Sequence, residues 1–110
     1  MNLNIKTLSC FDKDVKRLFK KYKQLPNDLK ILNKELLENP KSGIEIGNRC
    51  YKIRLANSSI PTGKSGGFRI IYYHVDTHNN LYLINMYSKN ELENVVDKVI
   101  LQILKENGLI

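Results

Sequence analysis

Between Thr62 and Tyr73 the chain reads TGKSGGFRIIYY, in which a lysine, two glycines and an arginine lead into an apolar, aromatic run. Lys64 and Arg69 are cations of the kind that bind phosphate oxygens, and Gly66 and Gly67 leave the main chain bare for close approach by a phosphate or a base. Downstream, Tyr87 and Lys89 stand two apart in LYLINMYSKNE. Upstream, YKIRL alternates so that Lys52 and Arg54 share one strand face. Arginine and lysine neutralise phosphates, tyrosine stacks on an unpaired base, and the attraction weakens with salt, so the set suits RNA. It also suits cleavage of RNA without a metal. The 2′-hydroxyl must lose a proton, the phosphorane charge must be neutralised and the 5′-oxygen must be protonated; Lys, Arg and Tyr with shifted pKa values can do all three.

Competing readings apply to the same residues. A nucleotide-binding P-loop is excluded, because Ser58 stands where its first glycine belongs and a strand follows where the motif needs a helix. Local chemistry leaves open a flexible loop with a solvated lysine at Lys64. Tyr72, Tyr73 and Tyr82 read as sheet packing, since aromatics are enriched in strands. His74 and His78 have no carboxylate or cysteine at metal-site spacing and read as ordinary residues rather than ligands. The lysines of the first helical segment read as a solvated face, with ribosomal RNA or an acidic partner as the alternative.

The elements that must position these groups follow from periodicity. At 110 residues, with 42% apolar and 26% charged content, the chain fits one domain, residues 1–110. Leu3 and Ile5 alternate in a short strand. Phe11, Val15, Leu18, Phe19 and Tyr22 form a helical stripe that Pro26 ends, and Asn27 caps a second helix whose inward face is Leu29, Leu32, Leu36 and Leu37. Ile44 and Ile46 form a short arm before the strand CYKIRLA. FRIIYYHV and LYLINMYS pair as a hairpin across DTHNN. If Val75 and Leu81 flank that turn, Arg69 faces Tyr87; a slip of one residue pairs Arg69 with Met86 and sets Tyr87 across from Phe68. Leu92, Val95, Val96, Val99, Ile100, Ile103 and Leu104 continue as a helix opened by SKNE, where Ser88 and Glu91 have capping-box spacing. The order predicts an α+β fold with its helices on one face of a small antiparallel sheet.

Eighteen Lys and Arg against eleven Asp and Glu give a net charge of +7, which favours a polyanionic partner. Cys10 and Cys50 match no metal spacing and read as reduced thiols of a cytoplasmic protein. MNLNIKTLSC lacks the apolar run of a signal peptide, and no stretch approaches a membrane span.

The runs YKIRLA, GKSGGFRIIYY and LYLINMYSKNELEN closely resemble the RelE superfamily of type II toxin–antitoxin toxins, and within it HigB-like members with the pattern RKIR, GKSGGxRVIYY and YLLxxYAKNE. The resemblance extends over nearly the whole chain, since LLENPKSG also sits where the family has it. It implies a RelE-like fold and a cytoplasmic endoribonuclease that needs no metal or other cofactor. Such an enzyme cuts mRNA in the ribosomal A site and is held inactive by a cognate antitoxin, here HigA-like, a helix-turn-helix protein through which alone operator DNA is met. Carried onto this sequence, the resemblance gives Lys64 and Arg69 to the scissile phosphate, Tyr87 to base stacking or proton transfer, and Lys89 to charge stabilisation or proton transfer. Lys52 and Arg54 fall to RNA contact. Tyr51 stands where an arginine is common and Ser88 where alanine is, and the first change thins the basic patch. Two alternatives use the same residues differently: a ParE-like gyrase inhibitor, and a non-enzymatic RNA-binding module.

Overall fold

A computed structural model of the chain describes residues 3–61, 63, 66–75, 77, 79–89, 91, 95 and 97–110. Its elements are β1 (Asn4–Thr7), α1 (Ser9–Lys21), α2 (Leu25–Glu38), β2 (Ile44–Gly47), β3 (Cys50–Leu55), β4 (Phe68–Val75), β5 (Asn80–Ser88) and α3 (Asp97–Glu106). The strands form one sheet in the order β1-β5-β4-β3-β2. The fold is α+β as predicted, but the sheet is mixed: β1 runs parallel to β5, and the other pairs are antiparallel. A parallel partner needs a long crossover, and the helical hairpin with β2 to β4 supplies it.

The hairpin starts differently from expectation. Pro26 does not end α1; it lies in the first turn of α2, where its missing N–H costs nothing. Asn27 is therefore inside the helix, and its side chain donates to Gln24 Oε1 at 2.7 Å instead of capping. Leu25 takes the core position and is fully buried, whereas Leu37, predicted inward, is half exposed. Asp28, which the apolar stripe did not single out, is buried and accepts from Ser58 N at 3.1 Å, tying the start of α2 to the loop before β4.

The helices lie on both faces of the sheet, which corrects the one-face expectation. Phe68, Ile70 and Tyr72 of β4 pack with Phe11, Leu18, Leu25, Leu32 and Leu36 of the hairpin. Ile71 and Tyr73, on the other face, pack with Leu8, Ile84, Ile100 and Leu104. The cause is in β4 itself: Phe68 to His74 are all buried, so an alternating strand carries two apolar faces and each needs a cover. Burying Ile100 and Leu104 contributes about 1.5–3 kcal/mol each, enough to dock α3 there.

Two of the strand tyrosines are structural, as the packing reading has them. The Tyr72 hydroxyl donates to Pro40 O at 2.7 Å and accepts from Gly43 N at 3.1 Å, and the Tyr73 hydroxyl donates to Leu109 O at 3.1 Å. Cys10 and Cys50 are free thiols. No described helix is long and apolar enough to cross a membrane. Leu92 and Val96, assigned to the last helix, lie outside the described residues; Ser88 ends β5 and Glu91 reaches back to it, accepting from Ser88 N at 3.1 Å.

Candidate nucleic-acid interface

The two registers considered for the β4–β5 hairpin both occur. Near the turn Val75 pairs with Asn80 and Tyr72 with Leu83, which is the slipped register; beyond it Ile71 pairs with Asn85 and Arg69 with Tyr87. A β-bulge at Ile84 converts one into the other. Leu81 and Leu83 face the hairpin helices, and uninterrupted alternation would send Asn85 and Tyr87 there too. The extra residue instead returns Tyr87 to the face of Ile71 and Arg69. Re-aiming a side chain in this way is a recurring use of a bulge.

The resulting row crosses three strands: Arg54 on β3 pairs with Arg69 on β4, which pairs with Tyr87 on β5. Two arginines directly opposite on one sheet face repel, so the placement disfavours folding and favours an anion. Arg69 is 7% exposed; burial, and then Arg54, pull its guanidinium below the usual range, while Tyr87 pushes the other way. Arg54 lies at the surface, and Lys52 is half-buried two residues away on the same face.

Lys52, Arg54, Arg69 and Lys89 line one open groove of about 690 Å³, with Ile44 and Ile46 of β2 beside them. Glu35 is the one carboxylate among its described lining residues. Lys89 follows the end of β5, and its N–H donates to Gly67 O at 3.1 Å, which ties it to the mouth of β4. The groove therefore gathers four of the cations singled out by sequence. Lys64, the fifth, lies outside the described residues, as do Ser65 and His78.

Two assignments change. Gly67 was expected to open the main chain to a ligand, but it is buried against the chain's own backbone. A Cβ there would stand 2.9 Å from Asn57 N and 3.1 Å from Ala56 Cα, with Leu55 O nearer still. Its bare Cα serves the crossing of β3 and β4. Gly66 is half-buried beside it. Of the two roles expected for Tyr87, base stacking or proton transfer, the first lacks an open ring: Tyr87 is 3% exposed and belongs to the apolar cluster of Ile100 and Leu104. Its hydroxyl is buried with no hydrogen-bond partner among the described residues. Burial raises its pKa and Arg69 opposes that, leaving it above the ordinary range.

Sequence patterning missed Asp14 and Arg17, which frame this end of β5 together with Glu91, the expected capping partner of Ser88. Asp14 Oδ2 accepts from Met86 N at 3.0 Å, Arg17 donates to Met86 O at 3.4 Å, and Arg17 is paired with both Asp14 and Glu91. In the sequence Asp14 and Arg17 are polar positions of an amphipathic segment, indistinguishable from a solvated face.

A helical hairpin and a mixed five-stranded sheet define the architecture, and solved structures share that fold. This chain is similar to a double arginine-to-alanine mutant of the E. coli toxin RelE in the free state, with TM-score 0.61 and 20% identity over 96% of this chain and 98% of that one. It is also similar to the isolated E. coli RelE toxin, at 0.57 and 20% over 94% and 97%. A chain of the intact E. coli RelBE toxin–antitoxin complex matches at 0.56 and 22%, over 76% and 93%. No protein-family model matches the chain. The fold is that of RelE; what the chain does has to be argued from its own groove.

Proposed function

We propose that this chain is the toxin of a type II toxin–antitoxin pair, a metal-independent endoribonuclease that cuts mRNA on the ribosome and is neutralised by a cognate antitoxin. The observation that carries the reading is the groove, in which two cross-strand arginines and two lysines line one open space of about 690 Å³. The RelE fold adds support, as does the toxin–antitoxin complex in which a similar chain is found. The HigB-like subtype and a HigA-like antitoxin rest on the sequence motifs.

In this reading Arg69, with Lys64, holds the scissile phosphate and neutralises the charge that builds on it. Arg54 and Lys52 hold flanking phosphates. The Tyr87 hydroxyl keeps its proton at neutral pH, because burial holds its pKa up, so it serves as an acid toward the departing 5′-oxygen rather than as a base. Lys89 stabilises charge or moves the other proton.

The test is induction of the protein alone in bacterial cells, with mapping of new mRNA 5′-ends beside a Lys64→Ala, Arg69→Ala variant. Codon-phased cuts within translated regions, absent in the variant, are expected. Growth arrest with DNA damage and intact transcripts would replace this reading with gyrase inhibition.

A further inference from the structure

The outer edge of β5 changes partners where its register changes. β1 pairs with it through Leu83, and Leu8 N adds a last bond to Leu83 O at 3.0 Å. Beyond that point the chain of β1 has turned into α1, and side chains take over. Cys10 Sγ lies 3.1 Å from Ile84 O, Asp14 Oδ2 accepts from Met86 N at 3.0 Å, and Arg17 Nη2 donates to Met86 O at 3.4 Å. Positions 10, 14 and 17 share one helix face, so a single stripe of α1 continues the ladder that β1 leaves off. Arg17 then reaches Glu91, whose other oxygen accepts from Ser88 N at 3.1 Å. Met86 and Glu91, which flank Tyr87 and Lys89, are thus held by α1, and Lys89 N is held by Gly67 O.

We infer that Asp14, Arg17 and Glu91 are positioning residues: they hold β5 in its bulged register and thereby keep Tyr87 and Lys89 beside Arg69. The inference rests on the proposed nuclease reading for its consequence in catalysis, but not for its geometry. Arg17 and Glu91 side chains are 48% and 36% exposed, so their ion pair adds little to stability by itself. Its effect is on where the end of the strand sits, and a shift of about 1 Å at a reacting group costs up to about a hundredfold in rate.

The test uses Arg17→Met and Glu91→Gln in the full chain, each with 3-fluorotyrosine at position 87. In both variants the fluorine resonance should move or broaden, while the unfolding midpoint changes by no more than about 5 °C. An unchanged resonance overturns the inference, whether or not RNA is cut. In single-turnover cleavage of ribosome-bound mRNA, the rate at saturation should fall about tenfold to a hundredfold with half-saturation within about twofold. A loss in half-saturation alone would make Arg17 and Glu91 binding residues and overturn the positioning role. If the unaltered protein cuts nothing, the nuclease reading fails and the fluorine signal still decides the clamp.

Discussion

The groove makes a quantitative prediction about salt. Lys52, Arg54, Arg69 and Lys89 line it, and a single-stranded RNA engaging these four and Lys64 releases counterions so that log affinity falls with log salt at a slope of about −3.5. Between about 50 and 200 mM salt that slope weakens binding roughly 130-fold. Lys52→Ala removes one contact and no proposed proton-transfer group, so the slope should drop to about −2.8 and the loss to roughly fiftyfold over the same range. Fluorescence anisotropy with a short 2′-O-methylated RNA measures this without cleavage. Replacing exposed Lys30 on α2, which does not line the groove, should weaken binding far less. A slope near −1 for the unaltered protein, or equal slopes with and without Lys52, would refute the assignment of the groove to RNA.

Two further predictions concern the scaffold. Gly67→Ala drives a Cβ into Leu55 O and the backbone of residues 56 and 57; denaturation should show a loss of about 2 to 3 kcal/mol, and a neutral result would mean β3 and β4 separate freely there. Burial raises the Cys50 thiol from 9.0 to about 11. The folded state then holds this proton more tightly than the unfolded chain, so its contribution is complete below about pH 9 and is lost as pH rises toward 11, by about 2 to 3 kcal/mol. Urea titrations of the protein and Cys50→Ala at about pH 8 and pH 11 should show a smaller alkaline loss in the variant; equal losses would place the titration elsewhere.

Periodicity carried most of the fold, because a 3.6-residue stripe or an alternating run states which residues must be covered. It failed where one residue satisfied two patterns. Leu25 and Leu37 both extend the apolar stripe of α2, and only the position of Pro26 in the first turn decides that Leu25 goes inward. Alternation in β4 already sets Ile71 and Tyr73 on the arginine's face, but the one-sided helix layout left that face without the cover that α3 supplies. The cations of the groove were legible as types and spacings. Their exposure was not, since burial of Tyr87 depends on α3 arriving from far along the chain.

The bulge at Ile84 is the clearest case of information absent from local sequence. Both hairpin registers place apolar side chains sensibly, so neither alternation nor turn length rejects one of them. The turn selects one register and the α1 stripe holds the other, with Asp14 and Arg17 occupying both hydrogen-bonding groups of Met86. Where a strand is held in different registers at its two ends, one residue must be left over between them, and that residue is Ile84. A site that needs Tyr87 on the arginine's face thus depends on a helix stripe that touches neither residue of the Arg54–Arg69 pair. Substitutions at Asp14 or Arg17 should accordingly disturb Tyr87 and Lys89 more than they disturb Lys52, Arg54 and Arg69.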